Sequence, residues 1–141
     1  MKSRDFRIAA VVGASILICM PLHAHAQSSV VVKTYKDTNY LNGGVGEQEQ
    51  TTIRRLGKDF PLRMIFSEGT DGEFIADVAV TISDARGNPV FELQQAGPLL
   101  DVMLPNGQYK VSARFKELTE TQEVALSGKD GKDLSFHWKV K

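Results

Sequence analysis

The sequence predicts an all-β protein: a seven- to eight-stranded antiparallel β-sandwich with one short helix near the start of the mature chain. Three observations carry this. Short runs alternate apolar and polar residues, the pattern of strands with one buried face. Turn-forming residues recur about every 8 to 12 positions, the spacing of short sandwich strands. Only one segment, Glu47 to Leu56, carries agreeing helix signals. Sheets that are apolar on one side bury it by packing face to face, and a closed barrel is the second choice.

The first 26 residues read as a secretory signal. Lys2, Arg4 and Arg7 form a basic start, Ile8 to Ile18 is uncharged and mostly apolar, and Ala24-His25-Ala26 is a small-x-small cleavage site. The run from Ile8 to Leu22 is broken by Pro21 and falls short of the roughly 20 apolar residues that a membrane span needs. Cleavage after Ala26 leaves 115 of the 141 residues, enough for one core, and places the protein in the periplasm or outside the cell. The mature part keeps 14 of 17 basic and 16 of 17 acidic residues, a formal charge of −2. That excludes a basic footprint for nucleic acid and a polybasic membrane signal, and no membrane span remains after signal cleavage. Cys19 departs with the signal, so packing rather than a disulfide must stabilise the fold. The expected organisation is 1–26 signal peptide, 27–58 N-terminal strand, glycine-rich loop and short helix, and 59–141 β-sandwich.

In chain order, Ser29 to Lys33 is a β-branched run and a plausible first strand. A polar stretch through Asp37, Thr38 and Asn39 follows. Asn42-Gly43-Gly44-Val45-Gly46 places three glycines in four positions, which predicts an unusual backbone path. From Glu47 to Leu56, acids open the segment, Arg54 and Arg55 close it and Gly57 follows, all helix signals. A helix of about three turns is marginal alone, so Ile53 and Leu56 must pack on something.

Beyond Gly57 the pattern turns to strands. Phe60 to Phe66 puts Leu62, Met64 and Phe66 on one face. Phe74 to Ser83 puts Val78, Val80 and Ile82 inward. Asp84 to Pro89 is a turn by composition, and a tip at Arg86-Gly87 pairs Ile82 with Phe91 and Val80 with Leu93. Pro98 to Phe115 reads as a hairpin about Asn106-Gly107, pairing Leu104 with Tyr109, Val102 with Val111 and Leu100 with Ala113. Thr119 to Leu126 is a polar strand whose inward side is only Val124 and Leu126, an edge strand. Leu134 to Val140 alternates most cleanly, with Leu134, Phe136, Trp138 and Val140 inward.

Asp84-x-x-Gly87-x-x-Val90, then Leu104-Pro105-x-Gly107-x-Tyr109-x-Val111, then a polar strand and an apolar final one, resembles the carboxypeptidase regulatory-like domain. The resemblance covers roughly residues 74–140 and implies a transthyretin-like or immunoglobulin-like β-sandwich with no catalysis of its own, acting as a folding or interaction module. The part with Gly43 to Glu47 resembles instead the glycine-rich start of small exported proteobacterial proteins that carry such a sandwich. No protease accompanies the domain here, which removes the regulatory role and leaves a binding or structural one.

No residues present a catalytic constellation, a cofactor site or a metal site. His137 is the one histidine of the mature chain, faces outward, and has no cysteine to share a zinc with. No serine stands in G-x-S-x-G. Glu68, Asp71, Glu73 and Asp77 cluster about one turn without EF-hand spacing. Gly128 to Lys132 lacks the spacing of a phosphate loop. Tyr109 and Trp138 lie on apolar faces and belong to the core. The glycine-rich loop, Gly43, Gly44, Val45, Gly46 and Glu47, is either a tight entry to the helix or a nest or docking loop, and its two acids favour a protein partner over an anion. The expected function is therefore protein–protein or cell-envelope interaction with a protein partner in the envelope. The alternative is a periplasmic binding module for a carbohydrate or small molecule.

Overall fold

The computed structural model describes residues 30–139. The signal segment lies outside the described residues, as do Ser29 and Val140. Ten strands form two facing sheets. The first sheet runs β1 (Lys33–Tyr35), β2 (Thr38–Gly43), β7 (Leu99–Val102), β3 (Leu62–Glu68) and β10 (Lys132–Trp138), with β4 (Glu73–Phe74) beside the end of β3. The second runs β6 (Pro89–Ala96), β5 (Val78–Asp84), β8 (Gly107–Phe115) and β9 (Leu118–Leu126). Helix α1 (Glu47–Leu56) and a 3₁₀ turn (Gly57–Asp59) join β2 to β3. No helix among the described residues is long and apolar enough to cross a membrane.

The all-β sandwich and its helix are as the alternation predicts, but the strands number ten rather than seven or eight, because β2 forms in the stretch read as a polar connection and the run from Phe74 to Ser83 divides into β4 and β5. Leu62, Met64 and Phe66 of β3 meet Val78, Val80 and Ile82 of β5, all essentially inaccessible to water, in one core between the sheets. Phe66, Phe136 and Trp138 gather at one end of it, and Tyr35 and Tyr40 set their edges on Phe91 elsewhere. The β5–β6 hairpin has the predicted register, Ile82 with Phe91 and Val80 with Leu93. Its turn is held by Asp84, whose Oδ1 accepts from the backbone N–H groups of Arg86 and Asn88. β9 lies at a sheet edge, as its sparse inward side predicts.

Three expectations are corrected. Leu100, Val102 and Leu104 do face the core with Tyr109, Val111 and Ala113, but not as paired arms. β7 pairs with β2 and β3, while β8 pairs with β5 and β9. Asn106-Gly107 therefore belongs to a crossover between sheets, closed by Tyr109 Oη donating to Pro105 O at 2.7 Å. Two strands that face each other across a core show the same alternation as two that pair, so pattern alone does not separate them.

The second correction is direction. β10 pairs in parallel with β3, from Lys132 with Leu62 to Trp138 with Glu68, so the sandwich is not wholly antiparallel. The connection after β9 crosses to the opposite sheet instead of folding back, and alternation carries no direction. Third, the first strand spans Lys33–Tyr35, while Val31 and Val32 are half exposed outside it. β-Branched residues favour a strand only where a partner is supplied. The partner is β2, which begins in the stretch read as a polar connection, after a two-residue turn with Lys36 at φ 50°. Gly57 follows α1 as its C-cap, where the sequence places a helix end. Its φ is −72°, and the chain continues into the 3₁₀ turn.

The helix supplies what a two-layer sandwich lacks. Leu41, Ile53, Phe60 and Leu99 are buried yet stand apart from the inter-sheet core. α1 packs on β2 and β7, covering the outer face of the first sheet. All four residues of β7 are consequently buried, Leu100 and Val102 toward the second sheet, Leu99 and Asp101 beneath the helix.

Candidate functional site

The glycine-rich loop sets α1 on the sheet. Gly43 ends β2, and Gly44 is buried against Leu99, where a Cβ would lie 2.9 Å from Leu99 Cγ. With φ of 101° as well, that position suits glycine alone. Glu49, in the first turn of α1, reaches back, and its Oε2 accepts from Gly44 N–H at 3.0 Å and Val45 N–H at 3.1 Å. Gln50 donates to Gly44 O at 3.1 Å. The loop is thus a nest of backbone donors that the chain fills with its own carboxylate, a variant of the capping box. Gly46 is the cap residue, Glu47 opens the helix exposed, and Val45 is 67% exposed at the tip.

Between α1 and the sheet lies a cavity of about 350 Å³. Ile53, Ile65 and Leu99 provide apolar wall, and Arg54, Lys58, Arg63, Asp101 and Asp133 provide charge. Arg63 from β3 and Asp133 from β10 form a fork, Nε to Oδ1 at 2.7 Å and Nη2 to Oδ2 at 3.3 Å. The third guanidinium nitrogen donates to Phe60 O at 3.3 Å. The parallel register sets the pair directly opposite. Gly131 allows it, because a Cβ there would come within 2.8 Å of the guanidinium carbon. The hydrogen bond from Arg63 holds the Asp133 carboxyl below its ordinary range, and the same bond raises Arg63.

Asp101 is different. It is 4% exposed, and its carboxylate accepts no hydrogen bond among the described residues, its oxygens, unlike Oε2 of Glu68, not being wholly sealed from solvent. Its Oδ2 lies so close to Gly57 that a Cβ on that glycine would collide with it, which explains the glycine better than helix termination does. Burial pushes its carboxyl up to about 7, with Arg63 pulling it down and Asp133 adding to the rise. Sequence reasoning missed Asp101 because a polar residue between Leu100 and Val102 is the normal sign of a solvent-facing position. The signal lay in combining two readings, a helix that needs a surface and a strand beneath it.

The structure also places Ser67 beside His137, with Oγ 3.0 Å from Nδ1. The two are 70 residues apart in sequence and meet only through the parallel register. Ser67 is buried while His137 is exposed, and the other ring nitrogen meets no carboxylate among the described residues. A nucleophilic serine needs access to substrate and a base oriented by a third group, and this pair offers neither. Glu68 of the acidic cluster stands 3.8 Å from Lys116, whereas Asp71, Glu73 and Asp77 are exposed. Among the described residues, no three His, Cys, Asp or Glu side chains gather to hold a metal. Tyr109 and Trp138 are core residues, and Trp138 Nε1 donates to Leu118 O at 3.2 Å.

No protein-family model matches the chain, and no curated protein matches it.

Proposed function

We propose that this protein is an exported, non-catalytic β-sandwich module that works by binding, and that it takes a small molecule in the cavity beneath α1. One observation carries this: a buried carboxyl without a hydrogen-bond partner, Asp101, borders a cavity of about 350 Å³ with apolar walls. Small-molecule sites commonly combine such a volume with a few placed polar groups. A carboxyl that opens onto a cavity and has no hydrogen-bond donor from the protein is a natural place for a ligand to contribute one. The basic and apolar start of the chain supports export to the periplasm or beyond. The resemblance to the carboxypeptidase regulatory-like domain supports a module without its own chemistry. Its motif residues have folding roles here, Asp84 and Gly87 in a turn and Tyr109 at the crossover.

The test is an NMR titration of the mature chain from Gln27 against a library of small polar metabolites, carbohydrates included. The expected result is a saturable ligand that shifts the amides of Ile53, Lys58, Leu99 and Asp101. Saturable shifts confined to other surfaces, or none with any compound, overturn the reading.

A second reading, docking of a protein partner in the cell envelope through Gly43 to Glu47, is favoured by Val45, held exposed on a loop that Glu49 fixes in one shape. Affinity capture from an envelope extract, with a specific partner lost on Val45→Asp, distinguishes it.

A further inference from the structure

The geometry points to a small zwitterion of the amino-acid kind as the ligand of this cavity: an ammonium at Asp101, a carboxylate at Arg54 and Lys58, and an aliphatic part against Ile53, Ile65 and Leu99. This inference rests on the binding reading above and narrows it. Of the five charged residues around the cavity, two neutralise each other. The Arg63–Asp133 fork commits both carboxylate oxygens of Asp133, and Phe60 O takes the remaining guanidinium nitrogen. Three charges are then left for a ligand. Asp101 is buried and without a hydrogen bond, and Arg54 and Lys58 are exposed and in no ion pair among the described residues.

The inner end of the cavity favours a cation. Asp101 lies against Gly57, where the C-terminal carbonyls of α1 add partial negative charge to that of the carboxylate. An anion there would meet both. The rim favours the opposite sign, because Arg54 and Lys58 are four residues apart at the end of the helix. A divalent metal is a poor fit, since it requires several free oxygen ligands and Asp133 is already committed. A neutral sugar would hydrogen-bond Asp101 but leave the two rim cations to water. A zwitterion satisfies both ends, and the aliphatic wall gives the remainder of the molecule apolar contact.

The test is calorimetric titration of the mature chain at pH 8, where Asp101 is ionised, with four probes: L-leucine, 6-aminohexanoate, isoamylamine and 4-methylpentanoate, with glucose as the neutral comparison. The expected result is that at least one zwitterion binds roughly tenfold or more tighter than either singly charged probe, each lost charge contact being worth about that factor. Asp101→Asn should bring the zwitterion down to the affinity of 4-methylpentanoate. Arg54→Ala with Lys58→Ala, both on the exposed surface, should bring it down to that of isoamylamine without lowering the melting temperature. A zwitterion that binds no tighter than the amine or the carboxylate, or that glucose surpasses, overturns the inference and leaves small-molecule binding standing. No binding by any of the five, together with an empty NMR titration, overturns both.

Discussion

Asp101 sits on a strand with both faces covered, and that placement has a consequence for pH. Its ordinary carboxyl value in an unfolded chain is 3.8, and burial raises it to about 7 in the fold. Between those values the folded protein holds the proton and the unfolded chain has released it, so the unfolded state binds fewer protons and stability falls as pH rises. The contribution of Asp101 is complete below about pH 4 and lost above about pH 7. The groups around the same cavity are Arg54, Lys58, Arg63 and Asp133, and of these Asp133 has a lowered value and the opposite slope at more acid pH. Comparing wild type with Asp101→Asn isolates the single residue, since the amide does not titrate. Urea unfolding at pH 5 and pH 8 should show the wild type losing stability relative to the variant by an amount on the order of 2–4 kcal/mol across that interval. An unchanged difference would place the carboxyl at an ordinary value and in contact with water.

At the scale of the element, α1 shows what local sequence can and cannot say. Its ends were legible: Glu47 and Glu49 at the start, Arg54 and Arg55 at the finish, and the ten residues between Gly46 and Gly57. Those signals are local, because they answer to the unpaired donors and acceptors of the helix itself. What the helix covers was not legible. Ile53 announces a buried face without naming the surface, and β2, half of that surface, begins with polar Thr38 and Asn39 after a turn carrying a left-handed lysine. The same division runs through the candidate site. Gly43 to Glu47 stood out because glycine density is visible in one dimension, yet Arg63, Asp101 and Asp133 come from three distant strands and gather only in the fold. The pivot between the two levels is Glu49, which fixes the loop and thereby the helix above the cavity. Glu49→Ala removes the acceptor for two backbone donors, one of them on buried Gly44, and should lower stability by about 1–2 kcal/mol in urea unfolding. A cost near zero would mean that Gln50 and the apolar packing of Ile53 suffice to place the helix.

For the whole molecule, the decisive feature is that the last strand runs beside β3 in the same direction. It brings Asp133 opposite Arg63 and His137 opposite Ser67, and it lets the sandwich close at its other margin through side chains. There Gln122 on β9 donates to Ser135 O at 2.7 Å and Trp138 donates to Leu118 O, joining the edges of the two sheets without a shared strand ladder. Such stitches also occupy acceptors at edges that would otherwise offer themselves to other chains. The arrangement can be tested in solution, because residues 30–139 contain no cysteine. The side chains of Ser67 and His137 already lie within 3.0 Å, so the double variant Ser67→Cys, His137→Cys should form an intramolecular disulfide on mild oxidation. Mass spectrometry after alkylation reads the bond directly. The cross-link would enclose about 70 residues, and the loop-entropy argument gives a stabilisation of roughly 4 kcal/mol before any strain, read as a melting temperature that falls when reductant is added. An antiparallel partner for β3 could match residue 67 to residue 137 at a single crossing only, so a second pair, Ile65→Cys with Ser135→Cys, separates the alternatives. Parallel pairing sets both pairs in register and should oxidise both. An antiparallel strand in register at 67 and 137 would carry 135 four positions away from 65, beyond the reach of a disulfide. Oxidation of the first pair without the second would therefore reverse β10, separate Asp133 from Arg63, and remove the charge pairing on which the cavity beneath α1 depends.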